Sequence, residues 1–325
     1  MERLQIAIEK ARAQRLAEGR PAAPAAPTGA GAPSGTASAT AVAPVATPAS
    51  APGAASAPAD DSAAKSAAKS EARRLGPNAR PVHEDEQHDP AGTWAAMRPL
   101  FESGREPRYP GVIPAGSSPA AAAYNLLRTR MLQQARRNGW RRIAIVSPEM
   151  GDGKTTICAN IAMGLSRQFD TRSIVLDFDL RRVGLSRLMR PRELSTGMEG
   201  VLSGEVAFPD HALRLGDNVA LGLNDHHVDA PAELLQSGST TAALAEMERL
   251  LRPDILIFDM PPLLVGDDNF GFLENADAAL IVAAAESTPM SRIDTAERQV
   301  AELTEVMGIV LNKCRYPDRS QAYDY

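Results

Sequence analysis

The 325 residues carry a formal net charge of −5 and two cysteines, Cys158 and Cys314. That balance lacks the basic excess of a nucleic-acid binder, so no nucleic-acid partner is expected, and two cysteines make neither a disulfide framework nor a ligand cluster, which fits a reducing compartment. The longest plain apolar run of the C-terminal half, Ala278–Ala285, is far too short to cross a bilayer, so any membrane association is expected to come through a partner.

Residues 1–20 (MERLQIAIEKARAQRLAEGR) place Leu4, Ile8 and Ala11 on one face of a short amphipathic helix. The stretch is charged throughout, unlike a signal peptide, and reads either as a docking helix or as a frayed terminus. Residues 21–92 read as a disordered linker. From Pro21 to Ser70 they are almost wholly Ala, Pro, Ser, Thr and Gly without an aromatic residue, so they cannot bury enough apolar area to offset their ordering entropy. Residues 93–116 form a short pre-domain segment, whose Trp94, Met97, Leu100 and Phe101 pack either on the domain or on a partner.

Regular structure is expected over 117–316, followed by a tail at 317–325. A helix spans Ser118–Asn138, with Pro119 in its first turn and Gly139 ending it. Arg142–Val146 is a buried strand, followed by a Gly-rich loop and a helix from Lys154 to about Arg167. A strand at Ser173–Phe178, two short helical pieces and a strand near Asn218–Leu221 come next. A helix starts at Pro231, another covers Thr240–Leu251, and strands follow at Ile255–Phe258, Ala279–Val282 and Ile309–Leu311. A helix over Ser291–Val306 separates the last two. Apolar strands alternating with helices predict an α/β fold, a mostly parallel sheet covered by helices on both faces.

Three stretches carry chemistry. In Ser147-Pro148-Glu149-Met150-Gly151-Asp152-Gly153-Lys154-Thr155-Thr156, a strand precedes and a helix follows, the setting of a P-loop. Gly151 and Gly153 let backbone N–H groups face phosphates, the helix dipole adds attraction, Lys154 reaches the β- and γ-phosphates, and the Thr155 hydroxyl holds Mg²⁺. The candidate nucleotide-binding set is therefore Gly151, Asp152, Gly153, Lys154, Thr155 and Thr156. In Ile174–Arg182 the acidic pair Asp177 and Asp179 closes a buried strand, where open α/β sheets bind ligands; such carboxylates can hold Mg²⁺ or take a proton from an attacking hydroxyl. In Ile255–Pro262 an apolar run ends in Asp259, the second magnesium-side element of P-loop NTPases. His226-His227, beside Asp225 and Asp229, read as a solvated turn, and Cys158 and Met163 as helix core.

Together the three stretches resemble those of the bacterial tyrosine kinases (BY-kinases) of capsule and exopolysaccharide systems. That family pairs S-P-x-x-G-[DE]-G-K-[ST] with D-x-D-x-R and D-x-P-P, matched here by Ser147–Thr155, by Asp177, Asp179 and Arg181, and by Asp259, Pro261 and Pro262. The resemblance covers roughly residues 117–316. It implies an ATP-dependent protein-tyrosine autokinase of the stand-alone cytoplasmic type. Lys154, Thr155 and the loop amides would bind ATP and Mg²⁺, Asp177 would act as base, and Asp179 and Asp259 would organise Mg²⁺. Arg181 would join the nucleotide site and Asn312 would sit near the adenine. The acceptors would be tail tyrosines Tyr316, Tyr323 and Tyr325. The partners would be a separate membrane polysaccharide co-polymerase, holding the protein peripherally at the inner membrane, and a second copy for trans-phosphorylation. The family's E-x-x-R-x-x-R interface motif falls on Ala122, Asn125 and Arg128, so only its last arginine remains, and Val183 stands where the family has proline. The alternatives are a MinD/ParA-like ATPase, whose signature lysine is replaced here by Glu149, and an ATP-binding regulatory module without catalysis.

Overall fold

The computed structural model describes residues 89–101, 111–113, 118–191, 194 and 197–314. The expected helix at 1–20, all but the last few residues of the 21–92 linker, and the tail with Tyr316, Tyr323 and Tyr325 lie outside them.

The first described element is helix α1 (Pro90–Ala96), which begins inside the stretch read as linker. Asp89 caps it, its side chain accepting from the Ala91 N–H. Strand β1 (Arg98–Pro99) follows. Trp94, Met97 and Leu100 are buried against the domain, which decides the question that the sequence left open. Trp94 Nε1 donates to the carbonyl of Leu251 at 2.9 Å.

Helix α2 (Pro119–Asn138) is capped by Ser118 and closed by Gly139, whose φ of 72° suits glycine and whose N–H returns to Ala135 O. Then come β2 (Arg142–Val146), α3 (Lys154–Leu165), β3 (Ser173–Asp177), α4 (Gly184–Met189), α5 (Met198–Leu202) and α6 (Phe208–His211). Strands β4 (Leu213–Leu215) and β5 (Val219–Gly222), helices α7 (Pro231–Gln236) and α8 (Gly238–Leu251), and strand β6 (Ile255–Asp259) follow. The chain continues through α9 (Asp268–Phe272), a 3₁₀ turn (Leu273–Asn275), β7 (Ala278–Ala284), α10 (Met290–Leu303) and β8 (Glu305–Asn312).

The eight strands form one sheet in the order β1-β4-β5-β3-β6-β2-β7-β8, parallel throughout except for the antiparallel β4–β5 pair. Strand alternation sends side chains to two separate cores. Ala144, Val146, Ile174, Leu176, Leu256 and Phe258 face α1, α5, α8, α9 and α10. Ile143, Ile145, Val175, Ile255 and Ile257 face α2, α3 and α4. Both faces are therefore buried, which is why the central strands read as continuous apolar runs. Two boundaries differ most from expectation. The helix predicted to reach Val306 stops at Leu303, because Thr304 turns extended (φ −154°, ψ 178°) and anchors its hydroxyl on Ala276 O at 2.7 Å. The strand predicted at Ile309–Leu311 starts instead at Glu305.

Candidate active site

The carboxyl ends of β2, β3 and β6 lie side by side at the centre of the sheet, and the candidate residues gather there. The loop after β2 bends through Gly151 (φ 85°) and Gly153 (φ 98°), left-handed conformations that side chains disfavour. A Cβ on Gly153 would also come within 2.1 Å of Asn312 Nδ2. Lys154 opens α3, whose first N–H groups have no side-chain cap and point at the loop.

Lys154 is buried, and its Nζ lies 2.8 Å from Asp179 Oδ2, 3.8 Å from Asp259 Oδ1 and 3.4 Å from Thr155 Oγ1. Register sets Asp177 opposite Asp259 on the adjacent strands β3 and β6. The carboxylate of Asp177 accepts from the Leu185 N–H at 3.3 Å, and its main-chain carbonyl accepts from Asn224 Nδ2 at 2.9 Å. Phe178, Phe258 and Phe272 stack beneath with ring centroids 4.7–5.1 Å apart, a rigid floor for the acidic strand ends.

Burial, then the charges of Asp259 and Asp179, pushes the Asp177 carboxyl well above its ordinary value. Asp259 is likewise raised by burial, with Lys154 pulling against it. For Lys154 burial disfavours the ammonium, yet Asp259 and Asp179 outweigh it and hold the group charged. Burial pushes the Cys158 thiol well above its usual value, which leaves it inert helix core.

Four buried carboxylate oxygens here lack a hydrogen-bond partner: Asp177 Oδ1, Asp179 Oδ1 and both of Asp259. Unpaired buried acceptors beside one lysine leave the site short of positive charge, the condition a hard cation would relieve. No cluster of three or more His, Cys, Asp or Glu side chains with metal-holding geometry occurs among the described residues. Magnesium does not need one: it binds through one or two carboxylates, a hydroxyl and the substrate's phosphates, and Thr155, Asp179 and Asp259 suit that mode.

The other predicted residues lie around this cluster. Arg181 is half-exposed and pairs with the buried Asp268 through two bonds of 2.7 and 2.9 Å. The next residue, Asn269, donates to the carbonyls of Pro261 and Pro262 at 3.1 and 3.3 Å. The start of α9 thus fastens both acidic strand ends. The Asp152 carboxylate accepts from the Glu149 N–H of the same loop at 3.0 Å, and Asn312 rests on the loop backbone, its Nδ2 2.8 Å from Asp152 O. Thr156 lies in the first turn of α3, its carbonyl bonded to Asn160 Nδ2. His226 bridges Asp225 and Glu199 in an exposed loop. Thr288 and Asn224 escaped the sequence reading, although each follows an apolar strand, where such sheets place ligand-side groups.

This sheet, with a Gly-rich strand-to-helix loop, an invading lysine and acidic strand ends, defines a P-loop nucleotide-binding protein. No family model matches the chain. Tyrosine-protein kinase CpsD of Streptococcus pneumoniae is 28% identical over 174 residues, spanning 53% of this chain and 75% of that protein. Putative tyrosine-protein kinase AmsA of Erwinia amylovora is 26% identical over 180 residues, 52% of this chain but 23% of its own length. Among solved structures, the kinase domain of Escherichia coli tyrosine kinase ETK superposes with a TM-score of 0.56 at 19% identity, covering 71% of this chain and 94% of that one. The VpsO kinase domain gives 0.54 at 22%, covering 60% and 95%. The chain is thus similar in sequence to bacterial tyrosine-protein kinases and shares the fold of their kinase domains.

Proposed function

We propose that this protein is an ATP-dependent tyrosine autokinase that regulates exopolysaccharide or capsule synthesis and export. The observation that carries the reading is the buried Lys154–Asp179–Asp259–Asp177 cluster at the mouth of the P-loop. The curated relatives with kinase names, and ExoP of Rhizobium meliloti, a succinoglycan biosynthesis transport protein 28% identical over 53% of this chain, support it.

The loop amides and Lys154 bind the triphosphate, and Lys154 carries its charge into a dry site where it is worth far more than in water. Thr155, Asp179 and Asp259 would hold Mg²⁺, which would supply charge neutralisation at the phosphates. Asp177 orients the acceptor. A tyrosine hydroxyl, with an intrinsic pKa near ~10, is a poor nucleophile, and a carboxylate with raised proton affinity is a better base for it than an ordinary one. The hydroxyl proton passes to Asp177, the phenolic oxygen bonds to the γ-phosphorus, and the bond to the bridging oxygen breaks to release ADP. Tyr316, Tyr323 and Tyr325 are the proposed acceptors, reached in a second copy of the chain.

No helix among the described residues is long and apolar enough to cross a membrane. We assign the membrane contact to a separate polysaccharide co-polymerase, with residues 1–20 as the docking segment. Unchanged co-purification of that partner after deletion of 1–20 would remove this assignment. The kinase reading is tested with labelled ATP on wild type, Lys154→Ala and the triple variant Tyr316→Phe, Tyr323→Phe, Tyr325→Phe. Label on wild type alone is expected; an unlabelled wild type, with the membrane partner present, would reduce the protein to an ATP-binding module.

A further inference from the structure

Asp152 sets a problem of charge. The residue is 2% exposed within a loop whose amides would hold a triphosphate, where a free anion would repel the ligand. Both of its oxygens are already committed. Oδ2 accepts from the Glu149 N–H at 3.0 Å, closing the loop on itself, and Oδ1 accepts from the Thr288 hydroxyl at 2.7 Å. Thr288 lies in the turn between β7 and α10, and its Oγ1 accepts in turn from the N–H of Ala284 at 2.9 Å, while its own N–H returns to Ala284 O at 2.9 Å. A threonine hydroxyl has one proton to give, and here it goes to Asp152. The side chain is therefore a fixed relay from the end of β7 to the loop.

The other flank of the loop is tied to the end of β8. Asn312 Nδ2 donates to Asp152 O at 2.8 Å and Lys313 Nζ to Gly151 O at 2.6 Å. In a trans peptide the carbonyl and the following N–H point opposite ways. Anchoring the carbonyls of Gly151 and Asp152 toward β8 therefore turns the N–H groups of Asp152 and Gly153 to the opposite side, as an anion-binding concavity requires.

We propose that Asp152 and Thr288 are positioning residues for nucleotide binding: they lock the P-loop backbone, from the β7 side, into its phosphate-binding curve before the nucleotide arrives, and Asp152 does not itself contact nucleotide or magnesium. The proposal rests on the reading of this site as an ATP site but not on tyrosine phosphorylation.

The test uses the full chain with Thr288→Val, which keeps the shape and removes the hydroxyl, Thr288→Ser, which keeps the hydroxyl, and Asp152→Asn. Calorimetric titration with ATP at saturating Mg²⁺ is paired with the melting temperature of the nucleotide-free protein. Thr288→Val weakens ATP binding about tenfold, and Thr288→Ser stays within about twofold of wild type. Asp152→Asn also weakens ATP binding but leaves the Mg²⁺ concentration for half-maximal binding unchanged. Wild-type affinity in Thr288→Val, no rescue by Thr288→Ser, or a shifted Mg²⁺ midpoint in Asp152→Asn each overturns the proposal. A wild type that binds ATP but transfers no label defeats the kinase reading alone.

Discussion

At the scale of single residues, the site combines groups that lowering the dielectric affects in opposite ways. Lys154 stays charged because two carboxylates face it, whereas Asp177 has only one backbone N–H on its carboxylate and bears the cost of burial. A carboxyl raised by burial and by neighbouring Asp259 and Asp179 binds more protons folded than unfolded. Stability therefore falls as pH rises from the ordinary value of 3.8 toward the raised folded one. Asp177→Asn removes that penalty while its amide oxygen can still accept from Leu185 N–H. Thermal melts are expected to show the variant more stable than wild type at pH 8, with the difference closing toward pH 4. The same variant is expected to lose about 10²–10⁴-fold in label transfer, the usual contribution of a positioned base. A variant that melts lower than wild type at pH 8 would mean that Asp177 is held as a well-solvated anion. The aspartates and Lys154 were legible in the sequence because each sits at a fixed offset from a strand end. The direction of Asp152 was not: proximity in a motif says nothing about which way a side chain turns, and its partner Thr288 lies 136 residues away.

At the scale of elements, the strands that were legible are those buried on both faces, where β2, β3 and β6 leave runs such as Ile255–Phe258. The three-residue β4, Leu213–Leu215, was too short to make a period. The first half of β8 was absorbed into α10 because Ala296, Val300 and Leu303 keep helical spacing up to Val306 and Met307. Tertiary contact decided both. It also decided α1, whose Trp94 is held at the far end of a helix rather than by its own sequence. The Leu251 carbonyl is one of the last four of α8 and has no intrahelical partner; the Trp94 indole supplies one. Trp94→Phe keeps most of the apolar contact and strands that carbonyl, so denaturant unfolding is expected to show a loss of about 1–3 kcal/mol. Trp94→Ala adds a cavity and is expected to cost about 3–5 kcal/mol. Equal losses in the two variants would show that packing contributes nothing beyond the hydrogen bond.

At the scale of the whole molecule, the carboxyl ends of β2, β3 and β6 gather the buried charges Lys154, Asp177, Asp179 and Asp259 at the centre of the sheet. Arg128, which matches the last position of the E-x-x-R-x-x-R pattern, is turned inward: its guanidinium donates to Gly164 O at 2.6 Å, joining α2 to the end of α3. It therefore ties α2 to the helix that Lys154 opens. Ligand that satisfies the unpaired carboxylates and the loop amides should then stabilise the entire body, since strands from both sides of the sheet's centre meet there. Ligand at 100 times its Kd contributes about 2.7 kcal/mol by mass action. For a domain of this size that is a rise in melting temperature of about 5–10 °C. Mg²⁺ with ATP is expected to give this shift in wild type and to fail in Lys154→Ala, measured by calorimetry at matched nucleotide. The apo variant should itself melt lower, because removing Lys154 leaves Asp179 and Asp259 buried without their cation, a change worth about 3–5 kcal/mol when a buried pair is broken. A full nucleotide shift in Lys154→Ala would place the triphosphate somewhere other than this loop.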